Sequence, residues 1–137
     1  MRILDLIRGH FALLTDRELE TLPTRSKFVV ERVLVAKKSK AWADWLIRIK
    51  PLRGEEYQSV YLSDILRAYT WAVTKRDWIP LREIEDAVLI GKAQSTYTMA
   101  LLATFDDIEP RFGTNAGIRY VEHSEIFGES PRNGAND

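Results

Sequence analysis

The segment from Phe28 to Lys50 constrains the fold of this chain more than any other. Its first part, 28–36, contains four valines, a residue type enriched in β-strands. The same part is apolar nearly all round, a pattern that also suits a buried helix. No turn signal separates it from the residues that follow, so we expect a helix, with a strand as the alternative.

Residues 37–50 show the spacing of an amphipathic helix, which Pro51 and Gly54 end. Apolar side chains form one face of this helix, namely Trp42, Trp45, Leu46 and Ile49. The opposite face carries Lys37, Lys40, Ala41, Asp44 and Arg48. From this spacing we expect Lys37, Lys40 and Arg48 to act together.

Further helices are predicted from apolar periodicity and end signals. They cover Arg2 to Leu14, a short capping-box helix from Thr15, Asp64 to Arg76 behind the N-cap Ser63, Pro80 to Gly91, and Ser95 to Phe105. After a glycine-rich turn, Ile118 to Val121 is a short strand or an extended arm.

These elements predict an all-α fold, a compact irregular bundle of about five or six helices. The chain has 137 residues, of which 45% are apolar, enough for one domain with its own core. We assign that domain to residues 1–127. Residues 128–137 are rich in glycine, asparagine and charge, and we expect a disordered tail there.

Composition excludes several classes of protein. The chain has no cysteine, which excludes a disulfide scaffold and a thiolate zinc site. Asp5 and Arg8 interrupt the apolar residues at the N-terminus, so no secretory signal is predicted. No apolar window approaches the length of a membrane span, and we expect a cytoplasmic protein without membrane contact.

The sequence offers little for catalysis, and we expect no enzyme activity and no cofactor. His10 and His123 are the only histidines, and each is interpreted as a packed or exposed side chain. Asp106, Asp107 and Glu109 are interpreted as a solvated helix end, so no metal site is predicted. No phosphate-binding glycine motif occurs. An enzyme whose site only geometry would reveal remains a third class.

Charge is divided unevenly although the net charge is zero. Residues 1–54 carry 12 Lys/Arg and 6 Asp/Glu, whereas residues 55–137 carry 8 and 14. The strongest imbalance is 25–53, with two acids against nine cations: Arg25, Lys27, Arg32, Lys37, Lys38, Lys40, Arg48, Lys50 and Arg53. These cations predict contact with a nucleic-acid backbone. Trp42 and Trp45 are interpreted as stacking platforms for bases or, alternatively, as core residues.

The segment Leu62-Ser63-Asp64-Ile65-Leu66-Arg67-Ala68-Tyr69 resembles a stretch in small subunits of CRISPR effector complexes of type III. A cysteine-free chain with a positive half, an acidic half and no catalytic set is also similar to these subunits. The resemblance implies a helical bundle that stacks head to tail in a ribonucleoprotein. It also implies binding to RNA or DNA backbone without reading sequence, and partner subunits that include copies of itself.

The competing hypothesis is a protein–protein adaptor, such as a structural or regulatory component of a phage. In this hypothesis the oppositely charged halves meet in an oligomer, and Trp71, Trp78 or Phe112 anchors the interface. An exposed stripe formed by residues 25–53 would favour nucleic-acid binding. Pairing of those cations with the acidic half of the same molecule would favour the adaptor.

Overall fold

The computed structural model describes residues 3–37, 43–53, 56–88 and 92–122. Within these residues the chain forms four helices and seven strands. The helices are α1 (Ile3–Ala12), α2 (Leu62–Lys75), α3 (Leu81–Val88) and α4 (Lys92–Leu102). The strands are β1 (Glu18–Glu20), β2 (Lys27–Lys37), β3 (Ala43–Pro51), β4 (Gln58–Tyr61), β5 (Ile79–Pro80), β6 (Ile108–Arg111) and β7 (Gly117–Tyr120).

The larger sheet is antiparallel and has the strand order β1-β2-β3-β4. Successive side chains of a strand point to opposite faces, so each strand contributes to an inner and an outer face. Phe28, Val30, Ile47, Ile49 and Val60 are fully or almost fully buried on the inner face. Helices α1, α2 and α4 pack against the strands that carry these residues and close the main core.

The smaller sheet has the order β5-β7-β6 and is also antiparallel. Ile79, Ile108 and Ile118, one from each strand, are buried in the same core as the larger sheet. Strand β7 lies beside α2 and α4, and α3 follows β5 directly. The second sheet therefore packs beside the helical layer, and just after β6 the N–H of Gly113 donates to the carbonyl of Leu22 in the turn between β1 and β2.

The all-α prediction is wrong, because the chain is an α+β protein with two antiparallel sheets. Residues 28–36 belong to a strand, and the predicted amphipathic helix over 37–50 contains β3. The helical bundle that the resemblance to CRISPR small subunits implied is wrong for the same reason. The short helix predicted from Thr15 is also wrong: Asp16 has a φ of 70°, and the chain continues into β1.

Four of the predicted helices agree with the structure. Helices occupy the segments predicted near the N-terminus, after Ser63, after Pro80 and before Phe105, with ends shifted by a few residues. Ser63 lies inside α2 rather than before it, and Tyr61 takes the N-cap position. Of the two alternatives for 118–121, a short strand or an extended arm, the structure shows the strand, which is β7. The predicted tail, 128–137, and the end of the predicted domain lie outside the described residues.

Candidate nucleic-acid interface

The outer face of the larger sheet combines cationic and aromatic side chains. We define it by the described residues of β3, of β4 with Tyr57, and of β2 from Val29 onward that alternate with the buried ones: Val29, Arg32, Leu34, Leu46, Arg48, Lys50, Tyr57, Ser59 and Tyr61. Toward the β1 edge the same side of the sheet carries Glu18, Glu20 and Lys27. Tyr57 immediately precedes β4, and the others lie in strands. All of these side chains are exposed or half-buried, in contrast to the inner face.

A β-bulge at Glu31 sets the arrangement of charge on this face. Val30 pairs with Ile49, and the next pair along the ladder is Arg32 with Arg48, so Glu31 is the extra residue. The bulge keeps valines on the inner face on both sides of it. It also places two arginines directly opposite each other on the outer face, an arrangement that is unfavourable without a counter-charge.

Glu31 supplies that counter-charge for both arginines. Its Oε1 atom lies 3.3 Å from Nε of Arg48 and 3.8 Å from Nε of Arg32. The same oxygen is buried, and these contacts do not have hydrogen-bond geometry. A single carboxylate therefore faces two guanidinium groups, and the cluster keeps an excess of positive charge. The Arg32 side chain is 59% exposed, so this excess is accessible to solvent.

Tyr57 forms the aromatic part of the outer face. Its side chain is 42% exposed, and Cζ of Arg48 lies 4.2 Å from its ring centroid. Nζ of Lys50 lies 5.7 Å from the same centroid. Such cation–π contacts hold the ring in one orientation while leaving much of it exposed. Glu31, Arg48 and Tyr57 thus form one connected row from the bulge in β2 across β3 to the residue before β4.

The structure brings together only part of the predicted cationic set. Arg32, Arg48 and Lys50 share the outer face, and Arg53 is exposed just after β3. The backbone of Lys37 ends β2, whereas Lys38 and Lys40 lie outside the described residues. The expectation that Lys37, Lys40 and Arg48 share a helical face is wrong because Lys37 and Arg48 lie in strands.

The remaining two cations, Arg25 and Lys27, form ion pairs with glutamates of β1. Arg25 Nη1 donates to Glu20 Oε1 at 3.1 Å, and Lys27 Nζ lies 3.5 Å from Glu18 Oε1. Arg25 also lies over the ring of Phe112, 4.1 Å from its centroid. The described ion pairs of the basic segment therefore use acids of the first half of the chain.

Trp45 lies on the inner side of β3, where it packs against the core and faces the guanidinium of Arg8 at 4.7 Å. Trp42 lies outside the described residues. The aromatic residue that the outer face does present, Tyr57, was not among the predicted site residues. Period-two alternation from Trp45 to Lys50 is the signal that could have located this face.

The predicted anchors of a protein interface are engaged within the molecule. The indole N–H of Trp71 donates to Glu83 at 2.6 Å, although this side chain is 41% exposed. The Trp78 ring contacts two guanidinium groups, those of Arg111 at 4.4 Å and Arg119 at 4.8 Å. The adaptor hypothesis stays a prediction.

His10 is the one histidine in the described part of the chain, and it is half-buried. Its Nε2 lies 2.8 Å from the hydroxyl of Thr104, which donates its own proton to the Leu101 carbonyl at 2.6 Å. Nε2 must therefore carry the proton in the His10–Thr104 hydrogen bond. Burial lowers the pKa of His10, and the nearby Asp106 partly opposes this shift. Burial thus favours the neutral imidazole.

No protein-family model, curated protein or solved structure matches this chain. Within the described residues, none of the helices is long and apolar enough to cross a membrane. The same residues contain no group of three or more His, Cys, Asp or Glu side chains suited to hold a metal ion. Any inference about function therefore starts from the residues of the outer face themselves.

Proposed function

We propose that this chain binds single-stranded nucleic acid on the outer face of the larger sheet, without catalysis. The observation that carries the proposal is the Arg32–Arg48 pair beside the exposed ring of Tyr57. Phosphates would contact the cations, and a base would stack on the tyrosine. The absence of cysteine suits a reducing compartment, and we expect the protein to act in the cytoplasm.

The charge of the outer face supports an anionic partner. Glu31 is shared by Arg32 and Arg48, and Lys50 adds a third cation near Tyr57. A phosphate beside the two arginines would relieve their mutual repulsion and gain charge-assisted hydrogen bonds from two guanidinium groups. Because such contacts release counterions, binding would weaken steeply with salt.

The aromatic ring favours a single strand over a duplex. Bases within a duplex are stacked on one another, whereas an unpaired base exposes a face that can stack on a protein side chain. A sheet that presents cations and a tyrosine together offers both a backbone contact and a stacking platform. Stacking accepts every base, so we expect little dependence on sequence.

The test is a fluorescence-anisotropy titration of the full chain with labelled 12-nucleotide RNA and DNA strands and a DNA duplex. Two phosphate contacts, one at the arginine pair and one at Lys50, predict a slope of about −1.4 for log affinity against log salt, or roughly a 7-fold loss between 50 and 200 mM. We expect single strands to bind more tightly than the duplex. Absence of binding at 50 mM salt would contradict the proposal, and concentration-dependent self-association instead would favour the adaptor.

A substitution at Lys50 tests the phosphate contacts. Lys50→Gln removes an exposed cation and should reduce the salt slope by about 0.7. Its control, Arg82→Gln, removes the same charge from an exposed position on α3 and should leave the slope unchanged. Equal effects of the two variants would indicate that only net charge matters.

Tyr57→Leu tests stacking, which contributes about 1–3 kcal/mol per base, so affinity should fall roughly 5- to 150-fold. Trp71→Leu removes another exposed aromatic ring, on α2, and should have no such effect. Tyr57→Phe should retain affinity because the ring is kept. A Tyr57→Leu variant that binds as the unmodified chain does would remove the stacking contact from the proposal.

A further inference from the structure

A cavity of about 420 Å³ opens on the helical side of the molecule. Four rings line it, those of His10, Tyr69, Phe105 and Tyr120, together with the carboxylates of Asp106 and Asp107. The first two rings come from α1 and α2, and the others come from the loop after α4 and from β7. Its volume is that of a site for a small molecule.

The rings form adjoining walls, and Tyr69 meets two of the other rings at steep angles. Tyr69 stands at 77° to Phe105, with ring centroids 5.8 Å apart, and at 90° to Tyr120, with centroids 6.3 Å apart. His10 lies 4.6 Å from Phe105. Edge-to-face contacts of this kind are favourable, and they fix the rings in place around the cavity.

The cavity is negatively charged. Its lining contains two carboxylates and neither lysine nor arginine within the described residues. Asp107 accepts a hydrogen bond from the Tyr69 hydroxyl at 2.5 Å, so one carboxylate is held against the aromatic wall. Burial, followed by this bond to Asp107, raises the pKa of Tyr69, which keeps the phenol protonated. The lowered pKa of His10 keeps the imidazole from cancelling the negative charge.

Two arginines, Arg76 and Arg119, line an adjoining depression, and each forms an ion pair with a glutamate. Arg76 pairs with Glu122, and Arg119 pairs with Glu109 at 2.5 Å. Neither pair uses Asp106 or Asp107. Asp106 and Tyr120 line this depression as well as the aromatic cavity, and Cζ of Arg76 lies 5.4 Å from the Tyr120 ring centroid. Asp107 does not line the depression, and it is held in the aromatic cavity by its hydrogen bond from Tyr69.

We infer that this cavity binds a small organic ammonium ion, of the alkylated or quaternary kind. Aromatic faces attract such cations, and a carboxylate at the rim of an aromatic site adds to the attraction. A hard metal ion would instead require six or more oxygen ligands, which four rings do not supply. The inference is independent of nucleic-acid binding, because the cavity and the outer face share no residue.

The test is a titration of the full chain with choline and with its neutral isostere 3,3-dimethylbutan-1-ol, followed by NMR chemical shifts of the aromatic protons. The two probes have the same shape, so only the positive charge distinguishes them. We expect choline to bind at least tenfold more tightly. Equal affinity, or no binding of choline at 50 mM, would overturn the inference.

Asp106→Asn removes one negative charge from an exposed residue that lines the cavity. We expect it to weaken choline binding about fivefold, whereas Asp86→Asn, an exposed matched change on α3, leaves binding unchanged. Loss of affinity in both variants, or in neither, would overturn the inference.

Phe105→Leu tests the aromatic wall independently of charge, and an intact far-ultraviolet spectrum shows that the variant folds. We expect it to lose most of the affinity for choline.

A final titration with N-acetyl-trimethyllysine amide distinguishes two sources of the same cation. Tighter binding of the lysine derivative than of choline would assign the site to a side chain of another protein. The reverse order would assign it to a free small molecule. Either order supports an ammonium site, and failure of both probes contradicts it.

Discussion

Arg32 and Arg48 lie directly opposite each other on β2 and β3, with Glu31 between them as the extra residue of a β-bulge. A regular ladder continued from the Val30–Ile49 pair would put Glu31 opposite Arg48. The bulge instead moves the acid into a position where it contacts both arginines. Local repulsion is thereby reduced but not removed, which leaves the outer face ready to accept a second anion.

Glu31→Gln should make the protein less stable and a better nucleic-acid binder. Without the carboxylate, the Arg32–Arg48 repulsion is uncompensated, and we expect a loss of about 1 kcal/mol in the free energy of unfolding at low salt. The same change should strengthen binding to single-stranded RNA about threefold. Urea denaturation and anisotropy titration measure the two effects, and added salt should restore part of the stability.

Glu18→Gln is the matched control for this prediction. It removes an equally charged acid that pairs with Lys27 at the edge of the same sheet, away from the two arginines. We expect a smaller change in both stability and affinity. If both variants strengthen binding equally, long-range charge rather than the arginine pair controls affinity.

His10 should make stability depend on pH. Its pKa is lowered in the folded protein because it is buried, while Asp106 opposes the shift, so the unfolded chain takes up a proton first. Stability is therefore complete above the usual histidine pKa of about 6.5 and is lost as pH falls through the lowered value. Urea denaturation at pH 7.5 and 5.5 should show this loss.

His10→Gln keeps a donor for Thr104 but has no titrating group, so the loss of stability between these two pH values should shrink. Thr104→Val keeps the histidine and serves as its control, because it removes the hydrogen bond without removing the titration. An unchanged pH dependence in His10→Gln would assign the effect to other groups.

Glu83 should link α2 to α3 in a pH-dependent way. Burial alone would raise the pKa of Glu83, but hydrogen bonds from Lys75 at 2.5 Å and from Trp71 at 2.6 Å lower it. This lowered pKa means that the stabilisation is present above the usual glutamate pKa and is lost as pH falls through the lowered value.

Glu83→Gln should cost about 1 kcal/mol at pH 7, measured by urea denaturation, and nothing once Glu83 is protonated. Asp86→Asn, on the same helix and exposed, should have no effect at either pH. A Glu83→Gln variant as stable as the unmodified chain at pH 7 would show that the hydrogen bonds seen in the structure contribute nothing net.

The prediction of a helix over 28–50 is wrong because the apolar residues there fit both a helical and a strand periodicity. Trp45, Leu46 and Ile49 fit one helical face, yet Trp45, Ile47 and Ile49 also fit one strand face, and the strand prevails. The segment is rich in valine and isoleucine, whose branched Cβ favours strands. Pairing with β1 and β4 stabilises the two strands further, and no local pattern reveals that pairing.

Local signals were sufficient for α2 and α3. In α2 the acidic Asp64 lies in the first turn, Lys75 lies in the last turn, and Arg76 ends the helix in a left-handed conformation. Each of these signals depends on residues close in sequence. Strands β5 and β6 carry no comparable signal, because they are only two and four residues long and gain their stability from β7.

The candidate site likewise combines features that the sequence reveals with features that depend on strand pairing. Composition alone identified the excess of cations, of which Arg32, Arg48 and Lys50 share the outer face. The role of Glu31 depends on a bulge, and the contact of Tyr57 with Arg48 depends on the register of β3 with β4. These relationships join residues that are 9 to 17 positions apart, and they exist only once the strands pair.

Gly117 and Gly9 should respond in opposite ways to alanine. A Cβ at Gly117 would lie 2.8 Å from the Ile79 carbonyl oxygen, so Gly117→Ala forces β7 away from β5 and should cost about 1–3 kcal/mol. A Cβ at Gly9 meets nothing within 4 Å inside α1, so Gly9→Ala should stabilise the protein by about 0.5–1 kcal/mol. Thermal denaturation of the two variants measures both effects. A neutral Gly117→Ala would show that β5 and β7 can separate freely, and the second sheet would then contribute little to the fold.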